Sequence, residues 1–362
     1  MRAAVLRSPG TPPAVEDVEL APPGPNEISV RIEAAGVCHS DLHYMRGELV
    51  CPLPVVLGHE GAGVVDAVGP GSRFSVGDRV ALMWRPRCGE CRACVTGDPV
   101  LCEAGPRQAA SGGLLDGTSR LSRGDERVHH LLGVSCFAER VVVSDRAVVR
   151  VPDGVPSRIA AVAGCAVVTG VGAVLNVIGE CAGESIVVFG AGGVGLSAVM
   201  GARLAGAYPI VMVDLDPAKL ELARRLGATA VVEASDGGAV EGVLDLVPGG
   251  ASWAVEAIGR PETMRQAFEV LAPAGTMVAV GLAGVGESVS IPINPLVQRQ
   301  RRVVGCLYGS ANPLVDLPRI FRLYLAGRLP LDELIGAEYA LDDIVDAFDD
   351  LRTAVGRGVI VP

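Results

Sequence analysis

Short apolar runs separated by glycine and proline fill the first half of the chain, among them Ile28 to Ile32, Gly61 to Val68 and Asp78 to Leu82. Runs of this length bounded by turn residues predict strands, and their density predicts a β-rich or α+β domain. From about Val167 the pattern changes. An apolar strand, Ile186 to Phe189, runs into Gly190-Ala-Gly-Gly-Val-Gly195, and a helix of small residues follows to Ala205. A second strand, Ile210 to Val213, ends on Asp214, and Asp216-Pro217 opens another helix with Asp as cap and Pro in the first turn. Strand-like runs Ser252 to Ile258 and Thr276 to Gly281 continue the alternation, which predicts a doubly wound parallel sheet. Toward the end lie two helical stretches, Leu317 to Ala326 and Asp342 to Leu351, and a closing strand, Gly358 to Val361.

Length and composition sharpen this picture. At 362 residues two domains are expected. The net charge of -10, with acids and bases interspersed, argues against a nucleic-acid binder. The 47 glycines and 4% aromatic content suit parallel sheets with tight βα turns. Ile159 to Gly179 and Ser185 to Ala202 are long enough to cross a bilayer. Glycines break both, and the second holds a phosphate-binding motif, so both are expected to be buried elements rather than membrane spans. The N-terminus lacks the apolar core of a signal peptide, so a cytoplasmic location is expected. The ten cysteines then more often bind metal than form disulfides.

Cys88, Cys91, Cys94 and Cys102 form C-x2-C-x2-C-x7-C. Four thiolates at this spacing fit one tetrahedral Zn2+, a closed structural site, although an iron–sulfur cluster is compatible with the spacing as well. Cys38, His59 and Cys165 could form a Cys2His site with one open position, the pattern of a catalytic zinc. On spacing alone they read better as core cysteines and a satisfied core histidine. Gly190, Gly192, Gly193 and Gly195, with Val194 among them, sit between a strand and a helix, where backbone amides can approach a pyrophosphate. Asp214, ending the next strand, is placed to bond the adenosine ribose hydroxyls, and its charge favours NAD over NADP. Lys219, on the following helix, could line the adenine side.

Taken together, AAGVCHSDLH, LGHEGAGVV, the cysteine quartet, LLDGTSR, GCAVVTGVGAVLN, VFGAGGVGLSAVMGA, VDLDPAKLELARRLGAT and EAIGR resemble the zinc-containing medium-chain alcohol dehydrogenases nearly end to end. The DGTSR segment resembles the branch holding liver-type and glutathione-dependent formaldehyde dehydrogenases. The resemblance implies an α/β chain with a GroES-like catalytic domain (1–166 and 308–362) and a Rossmann domain (167–307). It implies Cys38, His59 and Cys165 on a catalytic zinc, with Glu60 a nearby carboxylate and Asp41 orienting His59. Ser40 is then the group that takes the alcohol proton, and His43 the group that passes it to solvent through the cofactor ribose. His39, Thr169, Val194, Ile258, Arg260, Val280 and Arg357 fall at cofactor-contacting positions. His39 stands where liver-type enzymes commonly carry Arg, which implies a looser hold on the pyrophosphate. Trp84, Phe137, Leu282 and Leu307 fall at pocket positions.

The expected activity is hydride transfer between an alcohol, aldehyde or ketone and NAD(H), with two zinc ions per chain and a homodimeric or tetrameric assembly. Three readings compete with it: a thiol-dependent formaldehyde dehydrogenase, a specialised carbonyl reductase, and a zinc scaffold that binds nucleotide without turnover. His43 stands where glutathione-dependent relatives commonly carry Tyr. Glu48 and Arg107 are the nearest candidates for their thiol-binding residues, but at spacings that do not match.

Overall fold

A computed structural model describes every residue from Met1 to Pro362 except Asp236. The chain divides into two compact units. One comprises Met1–Cys165, Asn312–Gly327 and Ile335–Pro362; the other comprises Ala166–Ala311 and Arg328–Leu334. The short return Arg328–Leu334 lies inside the stretch expected to belong wholly to the catalytic domain. It joins the second unit because Leu329, Leu331 and Leu334 are fully buried and Glu333 pairs with Arg225 at 3.1 Å.

The first unit is built on two sheets. In the larger, the ten-residue strand Glu27–Gly36 lies between Glu60–Val68 and the C-terminal strand Arg357–Val361, antiparallel to both. Strand Arg140–Ser144 also pairs with it. The pairing of Ile360 with Ala35 carries Arg357, at the start of the last strand, to within reach of Glu60. The inward positions Ile28, Val30, Val65, Val80, Val141 and Val143 are buried side by side and make one core. Burying each such side chain contributes roughly 1.5–3 kcal/mol, so the sheet is a stiff platform for the loops at its end.

The second unit is a six-stranded parallel sheet. Numbered within the unit, its strands Ile186–Phe189, Ile210–Asp214, Ala230–Glu233, Ala251–Glu256, Leu271–Ala279 and Arg302–Gly305 lie in the order 3-2-1-4-5-6. This is the Rossmann arrangement, whose ligand crevice lies at the carboxyl ends of the strands where the order reverses. The first, second and fourth strands carry mostly buried runs of Val, Ile and Ala, as parallel sheets covered by helices require. The third and sixth strands, which the hydrophobic pattern does not announce, are the sheet's two edges.

Both long apolar stretches are interior elements. Residues from Ser157 to Ile178 are helical, and 83% of the most apolar window is buried inside the structure. Ser185 to Ala202 is the first strand of the second unit, its glycine turn and most of helix Gly193–Leu204.

Candidate metal and cofactor sites

The helix His39–Arg46 begins immediately after strand Glu27–Gly36, with Cys38 as its N-cap. Cys38 is extended, and its sulfur accepts the Ser40 N–H at 3.5 Å, so the thiol sits at a helix N-terminus where negative charge is favoured. His59 and Glu60 come from the turn that starts the neighbouring strand. Cys165 comes from a π-helical turn, Ala163–Val167, an irregularity often found where a helix places a functional side chain. Cys38, His59, Glu60 and Cys165 each offer a ligand atom, and these four atoms lie within 4.8 Å of one another, all on buried residues. The dispersed triad is therefore one cluster.

Its electrostatics are those of a set of metal donors. Asp41, fully buried, accepts the Gly58 N–H at 3.0 Å and lies 3.1 Å from Nδ1 of His59. A proton held on Nδ1 leaves Nε2 of His59 as the donor atom. Hydrogen bonding with Cys165 holds Cys38 well below the usual thiol range against the cost of burial, and Arg357 and His59 add to it. Cys165 is held well above that range, first by the same bond and then by burial. The two thiols are hydrogen-bonded to each other in a buried space, and a metal cation displaces thiol protons on binding. Two sulfurs, an oriented imidazole and a neighbouring carboxylate make a donor set suited to zinc.

Glu60 is fully buried and paired with Arg357 through two guanidinium nitrogens, Nε at 3.1 Å and Nη2 closer. Burial pushes its carboxyl up, and Arg357 opposes this. Arg357, expected among cofactor contacts, is itself buried, and its guanidinium neutralises Glu60 beside the metal donors. The pairing joins residues at opposite ends of the chain, so no local pattern announces it.

The cysteine quartet is a second cluster, with ligand atoms within 4.8 Å of one another. Cys88 and Cys94 sulfurs are 3.9 Å apart, Cys91 and Cys102 sulfurs 3.8 Å apart. Disulfide sulfurs lie about 2.0 Å apart. The edge of a tetrahedron with Zn–S bonds of about 2.3 Å is about 3.8 Å, so the spacing fits a single tetrahedral ion. The backbone amides of Glu90 and Cys91 lower the Cys88 thiol to about 6, while burial pushes the Cys94 thiol up to about 12. The helix Arg92–Thr96 within this loop has no buried residue, so little but the four sulfurs holds it together.

In the second unit, helix Gly193–Leu204 starts from Gly192 directly after the first strand. A Cβ on Gly195 would lie 1.8 Å from the Gly190 carbonyl oxygen, so only glycine lets the helix start so close to the strand. Asp214 caps this turn from the next strand. Its Oδ2 accepts the Ala191 N–H at 2.6 Å, and its Oδ1 accepts those of Leu215 and Asp216 at 2.8 and 3.0 Å. The carboxylate is thereby fixed at the strand ends, half-exposed. Asp216 caps helix Pro217–Leu226 by accepting the Ala218 N–H, and Lys219 is half-buried on the same helix. Arg260 is the exposed N-cap of helix Pro261–Glu269; Ile258 and Val280 flank the strand ends, partly exposed; Thr169 is buried.

The remaining candidates fall in different settings. Ser40 is half-buried in the first turn of helix His39–Arg46, His39 exposed beside it, and His43 half-buried one turn on. Trp84 stands edge-on to His59, ring centroids 6.3 Å apart, which puts its indole beside the metal donors. Phe137 is fully buried in the sheet core against Phe348, while Leu282 is exposed and Leu307 half-buried. Arg107 lies exposed on helix Ala104–Ser111, its Nε donating to the Glu103 carbonyl at 3.2 Å. The partner of His43 is Glu48, which sequence reasoning did not connect to it.

A buried thiol–imidazole cluster, a tetrahedral cysteine quartet and a Rossmann sheet define a zinc- and dinucleotide-binding dehydrogenase. Residues 24–153 match the alcohol dehydrogenase GroES-like domain, and residues 193–323 match the zinc-binding dehydrogenase family. The NDMA-dependent alcohol dehydrogenase of Amycolatopsis methanolica is 39% identical, over 99% of this chain and 98% of its own. The crystal structure of benzyl alcohol dehydrogenase from Acinetobacter calcoaceticus superposes with a TM-score of 0.93 at 33% identity, covering 99% of this chain and 98% of the other. Acetophenone reductase from Geotrichum candidum, solved in complex with NAD, gives 0.81 at 26% identity, over 100% and 97%. The chain belongs to the zinc-containing medium-chain alcohol dehydrogenase family.

Proposed function

We propose that the chain is an NAD-linked alcohol dehydrogenase with two zinc ions, one held by Cys38, His59 and Cys165 for chemistry and one by the cysteine quartet for structure. The buried cluster carries this reading: two thiols, an oriented imidazole and a carboxylate whose ligand atoms lie within 4.8 Å of one another. Bound there, zinc supplies Lewis-acid polarisation of the substrate oxygen, drawing the alcohol pKa toward neutrality. A nicotinamide coenzyme supplies the hydride acceptor.

The chain's own residues do the rest. Asp41 holds His59 in one tautomer and one orientation. Arg357 keeps the charge of Glu60 balanced, so the carboxylate does not stand alone in a buried place. Ser40 receives the proton of the alcohol hydroxyl at its Oγ, and His43 carries it toward solvent. The Trp84 indole beside His59 narrows the space for substrate. Glu48 is bonded to His43, and Arg107 to its own helix, so neither supports a thiol-binding role.

The test is coenzyme-linked turnover of a panel of alcohols, aldehydes and ketones, with NAD(H) and NADP(H), with and without glutathione. An NDMA arm is included because one relative's name carries that dependence. The expected result is thiol-independent turnover that prefers NAD(H). Asp214→Gly should weaken NAD use and narrow the preference by roughly tenfold, since the carboxylate that repels a 2′-phosphate is gone. A parent enzyme faster with NADPH at equal concentration contradicts the role given to Asp214.

A homodimer is proposed as well. The edge strand Arg302–Gly305 is exposed along its whole length, including Val303 and Val304. Beside it in sequence, helix Ile293–Gln298 has no buried residue and exposes Ile293 and Val297. An apolar open edge invites pairing with a second copy about a two-fold axis. Light scattering at micromolar concentration should give twice the chain mass; a strictly monomeric species overturns this.

A further inference from the structure

His43 and Glu48 form a pair that the mechanism above does not use. His43 sits in the last turn of helix His39–Arg46, which ends on Gly47 in the left-handed region, φ 76°. This turn folds the chain back over the helix end. The His43 carbonyl accepts the N–H of Glu48 at 2.9 Å and that of Leu49 at 3.2 Å. The same reversal brings the Glu48 carboxylate onto Nδ1 of His43 in a close hydrogen bond. Glu48 is thus fixed to His43 twice, by main chain and by side chain. Glycine is needed for the reversal: its φ is unfavourable for other residues, and a Cβ there would approach the Pro9 ring to 2.9 Å.

A carboxylate at neutral pH only accepts, so the bond requires the proton to be on Nδ1. The lone pair of a neutral His43 is then on Nε2. An imidazole that must collect a proton needs a defined free nitrogen, and the partner of the other nitrogen decides which it is. The Glu48 side chain is 39% exposed and that of His43 24%. The pair therefore lies at the solvent side of the helix rather than among the metal donors. When His43 gains a proton on Nε2, the new positive charge is met by Glu48 on one side and by the C-terminal end of the helix dipole on the other.

The structure assigns Glu48 a positioning role: it holds His43 as the Nδ1–H tautomer, with Nε2 free to take the proton that leaves the alcohol. This rests on the reading of Ser40 and His43 as the proton path. The transfer is balanced: one proton moves to Nε2, Nδ1–H stays bonded to Glu48, and the imidazolium then gives one proton to water.

The test has a structural arm and a kinetic arm. Long-range 1H–15N spectra of enzyme labelled in its five histidines, without coenzyme and at alkaline pH, report the tautomer of His43, assigned with His43→Gln. Single-turnover alcohol oxidation is measured for the parent, Ser40→Ala, His43→Gln, Glu48→Ala, Glu48→Gln and the His43→Gln/Glu48→Ala double variant. The parent should show Nδ1–H at His43. Glu48→Ala should lose that preference and slow oxidation about 5–10-fold with little change in alcohol KM. Glu48→Gln, whose amide oxygen still accepts, should keep the tautomer and most of the rate. Glu48→Ala should cost nothing further once His43 is gone. If His43→Gln and Ser40→Ala are slow but Glu48→Ala is parent-like with its tautomer unchanged, the role of Glu48 is overturned and the relay stands. If His43→Gln is itself parent-like, the relay is overturned and the role of Glu48 with it.

Discussion

Replacing Cys165 by serine should abolish turnover and leave the protein folded. The side chain reaches the cluster from a π-helical turn on a helix otherwise held by buried Ile159, Val162, Val167 and Val168. The change removes one thiolate, keeps the shape, and adds at most the ~1–3 kcal/mol cost of a buried hydroxyl. A core of this size tolerates that. The metal does not: a hydroxyl is a poor substitute for a thiolate on zinc, and with two remaining protein donors its hold is lost. Lewis-acid polarisation contributes several kcal/mol to a reaction of this kind, and each 1.36 kcal/mol is tenfold in rate. The expected loss is therefore roughly a thousandfold or more. Circular dichroism and the thermal midpoint check the fold; alcohol-dependent NADH formation checks the rate. Turnover within tenfold of the parent would remove Cys165 from the centre.

Cys94→Ser should have the opposite profile. The loop from Cys88 to Cys102 has few buried side chains outside Pro99, Val100 and Cys102 itself. Ordering a residue costs about 1–2 kcal/mol of backbone entropy, and the apolar contacts of this loop do not offset that over its length. Zinc bound by four thiolates contributes on the order of 10–16 kcal/mol in small zinc domains, and the sulfur spacing near 3.8 Å shows a site shaped for it. Losing one sulfur should release one zinc, expose the loop to proteases and lower the thermal midpoint by about 5 °C or more. The Cys38–His59–Cys165 site should keep its metal. A variant with parent-like midpoint, protease resistance and zinc content would contradict a structural role for the quartet.

What could be read from the sequence follows from how local the determinants are. The quartet lies within fifteen residues, so its spacing alone gives a metal loop. The glycine turn and Asp214 are one strand apart, and strands Ile186–Phe189 and Ile210–Asp214 show as continuous apolar runs because both faces are covered. The catalytic cluster is different. Its members come from three separate elements, and only resemblance to a family joined Cys165 to Cys38 and His59. The pairing of Arg357 with Glu60 spans nearly the whole chain and left no pattern at all. Edge strands Ala230–Glu233 and Arg302–Gly305 escaped because an edge needs no long apolar run; the second is exposed throughout. Helix Ala104–Ser111 escaped because Gly105 and Pro106 read as loop residues, although Pro106 falls in its first turn, where proline is tolerated. Glu48 escaped because its contact with His43 depends on the left-handed turn at Gly47, not on a helical spacing.

Two clusters of side chains are expected to hold two zinc ions, with only the buried one doing chemistry. Metal analysis and alcohol oxidation measured on the same samples of the parent, Cys165→Ser and Cys94→Ser separate the two roles. The active parent should hold two zinc ions per chain, a folded and inactive Cys165→Ser one, and a less stable Cys94→Ser that still turns over one. A freshly purified, fully active parent with one zinc per chain or none would contradict this.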